Sequence, residues 1–548
     1  MARLMGQMMQ MPLMISSLLV HAARHNGDTE IVSKRVEGDI HRYTYKDAEL
    51  RARKLAQAFA KLGCEPGDRV ATLAWNGYRH FEIYYGASGS ELVCHTINPR
   101  LFPEQIAWIA NDAADKVLCF DLTFLPLVEK LVPALTSVKH YVAMVGRSHM
   151  PAQTTIPNLL SYEELVDAED GVYRWPEFDE NTASSICYTS GTTGNPKGAV
   201  YSHRSTLLHS YGLALPDGMG VSGKDVILPV VPMFHVNAWG TPYAAPMIGA
   251  KLVFPGPHLD GKSLYELMEG EKVTFSAGVP TVWLGLINFA QAGKLKFSSL
   301  KSTVIGGSAC PPAMMRTLED EFGIEVIHAW GMTEMSPLGT LSKLKGKHEA
   351  LPLEARRRIL EKQGKVIFGV DMEIIDDDGA SLPWDAKASG NLVVRGPWII
   401  RSYFQRNESP LVKVNGREWF PTGDVAAIDA DAYMQITDRS KDVIKSGGEW
   451  ISSIDLENIA MGHPAVLEAA AIACRHPKWD ERPLLVVVKK AGAELTREQM
   501  LAFFDGKIAK WQIPDDVVFA PELPHTATGK IQKLKLRDMY KDHKLPGA

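Results

Sequence analysis

Between Tyr45 and Lys61 apolar residues recur at helical spacing, and the turn Glu65-Pro66-Gly67-Asp68 then leads into the apolar run Arg69–Leu73. The first pattern predicts an amphipathic helix and the second a strand. Further strands are predicted at Lys116–Phe120, Ala183–Tyr188, Asp225–Val230, Lys251–Phe254, Thr274–Ala277 and Ser302–Ile305, with helical stretches between most of them. This alternation predicts largely parallel sheets covered by helices on both faces. After about Gly364 the texture changes. Short strands at Met372–Ile375 and Asn391–Val394, separated by turn-rich Asp376–Gly379 and Pro383-Trp384, predict a small β subdomain. From Asp438 onward come a charged loop, a helix around Ile454–Met461, strands Ala469–Ala473 and Leu484–Lys489, a terminal helix and a basic tail. The expected class is α/β. Residues 1–437 form a large domain of layered α/β subdomains plus the β subdomain, and residues 438–548 a small α/β domain.

Length and composition narrow the class. At about 150 residues per domain, 548 residues make three or four structural units. The hydrophobic fraction of 45% and charged fraction of 22% exclude disorder, collagen-like repeats and a coiled-coil rod. No repeat stands out at solenoid or propeller periods. A net charge of −5, from 59 basic and 64 acidic residues spread along the chain, argues against a nucleic-acid partner. The cysteines Cys64, Cys94, Cys119, Cys187, Cys310 and Cys474 form no CxxC pair and read as reduced thiols of a cytoplasmic protein. The apolar run Met11–Val20 has two readings, a signal peptide ending near Val20-His21-Ala22 or a helix packed on the body. Interruption by Ser16, Ser17, His21 and Arg24 favours the packed helix. No other stretch reaches the ~18 apolar residues of a membrane span, so stable membrane insertion is not expected. The last residues, Leu545 to Ala548, are no peroxisomal address.

The densest chemical signal is Tyr188-Thr189-Ser190-Gly191-Thr192-Thr193-Gly194-Asn195-Pro196-Lys197-Gly198, directly after a strand. Glycines let backbone N–H groups approach an anion, hydroxyls add donors and lysine adds a point charge, which together describe a phosphate cradle. An ordinary polar surface loop has a similar composition. Gly256-Pro257-His258-Leu259-Asp260-Gly261-Lys262-Ser263 also satisfies GxxxxGK[ST]. Its chemistry is poor for a P-loop, because Pro257 has no N–H and Asp260 places a carboxylate where phosphates would lie. Later clusters complement the first loop. Gly306-Gly307-Ser308-Ala309 follows a strand and could edge a flat ring. Trp330-Gly331-Met332-Thr333-Glu334 offers a stacking face, a hydroxyl and a hard oxygen ligand suited to magnesium. Asp424, after the turn Pro421-Thr422-Gly423, could accept from two ribose hydroxyls, though a turn or cap role fits it equally. Asp438-Arg439-Ser440-Lys441-Asp442 lies at the domain junction, and Lys530 follows the flexible Gly529.

In this order and spacing, from about Tyr43 to Leu534, the clusters resemble the adenylate-forming superfamily of acyl-CoA synthetases, firefly luciferase and peptide-synthetase adenylation domains. Val231-Pro232-Met233-Phe234-His235-Val236-Asn237-Ala238-Trp239 and Ala277-Gly278-Val279-Pro280-Thr281-Val282-Trp283 are most similar to bacterial medium- and long-chain fatty acyl-CoA synthetases and to 3-methylmercaptopropionate ligases. The resemblance implies that the small domain is mobile, with Asp438 as its hinge. It also implies that Thr189, Ser190, Gly191, Thr192, Thr193, Gly194 and Lys197 hold the β- and γ-phosphates of ATP. Gly307, Ser308 and Ala309 would border the adenine and Trp330, where many members carry tyrosine, would stack on it beside Gly331 and Met332. Thr333 would touch the α-phosphate, Glu334 would bind Mg2+, and Asp424 and Arg439 would hold the ribose. Lys530 and His235 would flank the reacting carboxylate. Lys445, Ser446, Gly447 and Gly448 would pass the pantetheine arm of coenzyme A. Trp239, Val282, Gly306 and Met332 would line the acyl pocket, and for His235 and Trp239 a packed core aromatic remains an equal reading. The bulk of Trp239 and Met332 favours short or medium acids over long ones. Related enzymes imply a homodimer.

The implied reaction is ATP-dependent ligation of a carboxylic acid to coenzyme A, with a short- to medium-chain fatty or thioether acid as substrate and a long-chain acid as the alternative. A luciferase needs a luciferin, for which nothing in the chain argues. A peptide-synthetase module needs a carrier domain, whereas 18 residues follow Lys530. A P-loop NTPase using Gly256–Ser263 is the reading from another class.

Overall fold

The computed structural model describes residues 4–189, 195–439, 441–446, 449–525 and 530–546. Two large sheets form its body. The nine-stranded sheet runs in the order Lys365–Val366, Leu338–Leu341, Glu325–Gly331, Ser302–Ile305, Phe275–Gly278, Val226–Pro229, Lys251–Phe254, Glu30–Lys34 and Ile40–Thr44. Its central strands, from Glu325–Gly331 to Glu30–Lys34, are parallel. The seven-stranded sheet runs Leu160–Ser161, His140–Ala143, Asp115–Phe120, Arg69–Leu73, Val93–Thr96, Ala183–Tyr188 and Gly198–Ser202, antiparallel at the last pair alone. Parallel strands buried on both faces need continuous apolar runs, and the sequence supplies them.

Between the sheets lies the helix Tyr78–Gly89, every residue of which is buried. Its Tyr85 hydroxyl donates to the Pro242 carbonyl at 2.8 Å and Tyr84 stacks on Tyr243, so the largest apolar side chains also satisfy their polar tips. The helix Tyr45–Lys61 begins at a capping box, Thr44 with Asp47, which answers two of the first turn's open donors. The apolar run near the N-terminus is a helix, Ile15–His25, that buries Ile15, Leu18, Leu19 and Ala22 in the same core. The Ile15 N–H donates to His203 Nδ1 at 3.1 Å, fixing its start. Among the described residues no helix is long and apolar enough to cross a membrane.

A third, antiparallel sheet is built from Asp371–Ile375, Ser389–Arg395, Arg417–Ile428 and Val412–Val414, with Met434–Arg439 paired to Arg417–Ile428. This last strand runs through Asp438, so the expected boundary at residues 437 and 438 falls inside a ladder. The C-terminal residues form a separate sheet, Glu449–Ile451, Ile444–Ser446, Asp480–Lys489 and Val466–His476, with Asp516–Phe519 beside Asp480–Lys489. Helices Ser453–Met461 and Arg497–Ala502 pack on it.

The P-loop alternative ends here. Asp260 is the N-cap of the helix Gly261–Glu271, and its carboxylate accepts from the Ser263 N–H at 3.0 Å. The anion position at this helix end is filled by the protein's own carboxylate. Lys262 is exposed and lies 3.9 Å from Glu266 one turn on, an ordinary surface pair.

Candidate active site

Parallel strands end on a common edge, and the site collects there. Ser302–Ile305 leads into Gly306 and Gly307, Phe275–Gly278 into Val279, and Val226–Pro229 towards His235 and Trp239. Both glycines are required. Gly307 has φ +82°, and a Cβ there would lie 3.1 Å from Val279 Cγ1, 3.7 Å from Trp239 Cζ2 and 4.0 Å from Lys530 Cε. At Gly306 a Cβ would meet the Ala329 carbonyl oxygen at 2.9 Å. Ser308 is exposed and Ala309 half-buried on the rim.

Trp330 ends the neighbouring strand. One part of its ring packs on Gly339, where a Cβ would come within 2.7 Å, and its indole N–H donates to Asp424 Oδ2 at 2.9 Å. Gly331 has no room for a side chain against the Pro337 carbonyl, whose oxygen also accepts from the Met332 N–H at 3.1 Å. Asp424 faces Arg439 across the antiparallel ladder, with Arg439 Nε 3.6 Å from its carboxylate. Burial pushes the Asp424 carboxyl upward in pKa, while Arg439, Trp330 and Lys530 oppose that shift.

Thr333–Met335 is a single tight turn in which Thr333 and Glu334 are buried. The Tyr201 hydroxyl donates to the Thr333 carbonyl, and the Ile400 N–H to the Glu334 carbonyl at 3.0 Å. The Glu334 carboxylate accepts from the Tyr403 hydroxyl at 2.7 Å. Lys197 Nζ lies 5.0 Å from the centre of the same Tyr403 ring. At the mouth of the glycine loop the Thr189 N–H donates to the Lys197 carbonyl at 2.9 Å, and the Lys197 N–H to Thr189 Oγ1 at 3.2 Å. Ser190, Gly191, Thr192, Thr193 and Gly194 lie outside the described residues.

Lys530 comes from the C-terminal unit yet belongs to this group. Burial and then Arg439 lower its pKa to about 8, with Asp424 and Glu334 pulling the other way. His235 is held down to about 3 by burial and by Lys530, so its ring is neutral. Beside it, Val236, Asn237, Ala238 and Trp239 all have φ between 41° and 54°, a left-handed turn that non-glycine residues rarely form. Asn237 holds it, donating to Ser185 Oγ at 2.8 Å and accepting from Cys187 Sγ at 3.3 Å. Val282 packs instead with the cluster of Val32, Leu228, Val253 and Trp283. The valine that reaches Gly307 is Val279, one turn earlier.

Asp438 is buried, its carboxylate accepting from the Ser453 and Arg439 N–H groups at 2.7 Å each. Lys445 is exposed, and its N–H donates to Glu481 at 2.8 Å. The Ser446 hydroxyl accepts from Arg482 Nη1 at 3.1 Å. Gly447 and Gly448 lie outside the described residues. Among the described residues no three His, Cys, Asp or Glu side chains form a metal cage. A single buried carboxylate, Glu334, still fits Mg2+, which takes one or two carboxylates and completes its shell with phosphate oxygens and water. The carboxylates of Asp424 and Glu334, the cations Lys197, Arg439 and Lys530, and the indole of Trp330 suit a nucleotide triphosphate meeting an organic acid.

Three residues escaped the sequence reading. Asn237 and Val279 lie within the segments Val231–Trp239 and Ala277–Trp283 but have no assigned role there, and Tyr403 lies outside every motif. For Val279, its place directly after a strand end was the available signal.

The chain is similar to known proteins over nearly its whole length. The family "AMP-binding enzyme" matches residues 19–404, and "AMP-binding enzyme C-terminal domain" matches residues 455–530. The 3-methylmercaptopropionyl-CoA ligase of Ruegeria lacuscaerulensis is 55% identical over 98% of this chain and 99% of that protein. The medium-chain-fatty-acid–CoA ligase of Ectopseudomonas oleovorans is 52% identical over 98% of both. In fold, the chain superposes on an anthranilate CoA ligase in complex with anthranoyl-AMP with a TM-score of 0.85 at 23% identity, over 97% of this chain and 98% of that one. The chain therefore belongs to the AMP-binding enzymes, in their branch of AMP-forming acid–CoA ligases.

Proposed function

We propose that the enzyme activates a short- to medium-chain fatty or thioether acid such as 3-methylmercaptopropionate in two steps, and that Lys530 carries the first. The observation behind this is the position of Lys530: an ammonium from the small C-terminal unit lies beside Gly307, with Arg439, Asp424 and Glu334 in its electrostatic field.

In the first step the substrate carboxylate attacks the α-phosphorus of ATP, the bond to the bridging oxygen breaks, and pyrophosphate leaves with the electron pair. Residues 189–197 hold the triphosphate, Thr333 meets the α-phosphate, and Trp330, Gly307, Ser308 and Ala309 enclose the adenine. Asp424 and Arg439 hold the ribose. Glu334 is the residue that would hold Mg2+, which when bound neutralises phosphate charge. Lys530 bridges substrate carboxylate and α-phosphate, aligning them and stabilising the charge that grows on the phosphorus oxygens. Neutral His235 lines the carboxyl end of the acid pocket without competing with Lys530 as a cation. Met332, Gly306 and Trp239 shape the acyl recess, with Val279 added to them.

In the second step the thiolate of coenzyme A attacks the adenylate carbonyl and AMP leaves. Residues 438–548 turn about Asp438, taking Lys530 away and bringing Lys445, Ser446, Gly447 and Gly448 to the pantetheine arm. This alternation gates the chemistry and does not lower its barrier. A cytoplasmic homodimer is part of the same reading.

The test is product analysis by mass spectrometry with ATP, Mg2+, coenzyme A and an acid panel from acetate through 3-methylmercaptopropionate and octanoate to palmitate. The expected result is AMP and one acyl-CoA in equal amounts, both lost in Lys530→Ala. Preference for palmitate replaces the substrate assignment by the long-chain one. ADP formation, or AMP without thioester, overturns the reaction.

A further inference from the structure

Two groups proposed to act on the triphosphate and its Mg2+, Lys197 and Glu334, converge on one side chain outside every motif, Tyr403. Its hydroxyl donates to Glu334 Oε1 at 2.7 Å, and its ring carries Lys197 Nζ at 5.0 Å from the centroid. The ring is itself fixed. It sits edge-on to Phe420, with centroids 6.3 Å apart, and packs against the main core. The backbone around it is tied to the same two elements. The Ile400 N–H donates to the Glu334 carbonyl at 3.0 Å, and the Phe404 N–H to the Gly198 carbonyl at 2.8 Å, one residue after Lys197. At Gly198 a Cβ would lie 3.1 Å from Phe404 Cβ, so the segment presses directly on the foot of the glycine loop. Further along, Arg406 pairs with Asp112 at 3.4 Å, and Asp112 accepts from Tyr188 at 2.7 Å on the loop's other strand. Residues 400–406 thus bracket both strands of the loop and the turn that carries Glu334.

We propose that Tyr403 is a positioning residue for the adenylation step, one that sets the Glu334 carboxylate and the Lys197 ammonium in register. The inference rests on the roles given above to Glu334 and Lys197. The physical reasons are separate for the two ends. A phenol donating to a carboxylate fixes the plane of that carboxylate and occupies one oxygen, which directs the other for a cation. An aromatic face attracts an ammonium without neutralising it, so Lys197 is seated but keeps its charge for phosphate. Tyr403 thus engages the carboxylate through its hydroxyl and the ammonium through its ring.

The two ends can be separated by substitution. Tyr403→Phe keeps the ring and removes the donor, and Tyr403→Leu removes both. Three quantities are measured for each variant and for Glu334→Gln. These are the Mg2+ concentration giving half-maximal acid-dependent pyrophosphate exchange, the equilibrium affinity for α,β-methylene-ATP with Mg2+ and with EDTA, and the KM for the acid. For Tyr403→Phe the Mg2+ requirement rises about tenfold, while the nucleotide affinity in EDTA and the acid KM stay at wild-type values. For Tyr403→Leu the affinity in EDTA also falls, by a factor of about three or more. A wild-type Mg2+ response in Tyr403→Phe overturns the proposal. So does a parallel loss of all three quantities with unfolding at lower denaturant, which marks a purely structural residue. If Glu334→Gln leaves the Mg2+ requirement unchanged while Tyr403→Phe raises it, the reading of Glu334 as the metal ligand has failed and the bracket acts through another group.

Discussion

At the scale of single residues, the role proposed for Lys530 makes a prediction about pH. That role needs the ammonium, and burial followed by Arg439 lowers the lysine pKa from its usual value to about 8. It is therefore charged below about pH 8 and loses its proton as pH rises through that value. kcat/KM for acid-dependent pyrophosphate exchange should accordingly fall about tenfold per unit above pH 8. Lys530→Arg, always protonated in this range, should remove that limb whatever its absolute rate. A wild-type profile that is flat to pH 10 would falsify the assignment. Gly307 makes a second test, since its φ of +82° strains any side chain and a Cβ there would press on Val279 at 3.1 Å. Gly307→Ala should lose at least tenfold in acid affinity by titration, with about 1 kcal/mol of stability lost as well. Residues in dense polar clusters, such as Asp424 and Glu334, were legible in the sequence because few other roles fit the whole set. Tyr403 and Asn237 were not, because their partners Glu334 and Ser185 lie 69 and 52 residues away in sequence.

Helices and strands carry a different kind of evidence. The helix Tyr45–Lys61 and the strands Arg69–Leu73, Ala183–Tyr188, Lys251–Phe254 and Ser302–Ile305 begin and end where the apolar pattern does. Strong capping and two-sided burial leave such segments one solution. The hairpin of Val466–His476 with Asp480–Lys489 is longer than its apolar middle, because polar Glu468, Arg475 and Glu481 continue the ladder into solvent. The left-handed turn at 236–239 had no precursor in the pattern, since side-chain bonds between Asn237 and the distant strand Ala183–Tyr188 hold it. Asp260 yields an element-scale prediction. Asp260→Ala should lower stability by about 1 kcal/mol in urea titration, the ordinary cost of a lost helix cap. Lys262→Ala should leave turnover of ATP unchanged, and any abolition would restore the P-loop reading.

For the whole molecule, strand ends of two largely parallel sheets and Lys530 of the small unit meet at the site, which therefore draws on segments far apart in sequence. The proposed alternation predicts a reciprocal pattern of hydrogen exchange. When an acyl-adenylate analogue with coenzyme A replaces ATP, amides from Lys530 to Leu536 should lose protection and those of Val443 to Ser446 should gain it. Unchanged exchange in both segments would remove the rotation from the mechanism.

The ladder that pairs Asp424 with Arg439 places the ribose grip one residue from Asp438, the proposed pivot. Points near a rotation axis travel least. In the proposed turn of the small unit Lys530 leaves the site, while Arg439, next to the pivot in sequence, would move least. On these proposed roles the nucleotide half of the adenylate would stay held near the pivot while the lysine beside its acyl half is exchanged. An anhydride that hydrolyses readily in water would in this way stay tethered during the one interval when the cleft must open. Leakage of free acyl-AMP should be slow relative to turnover, and a weakened ribose grip, as in Asp424→Asn, should show first as escaped intermediate.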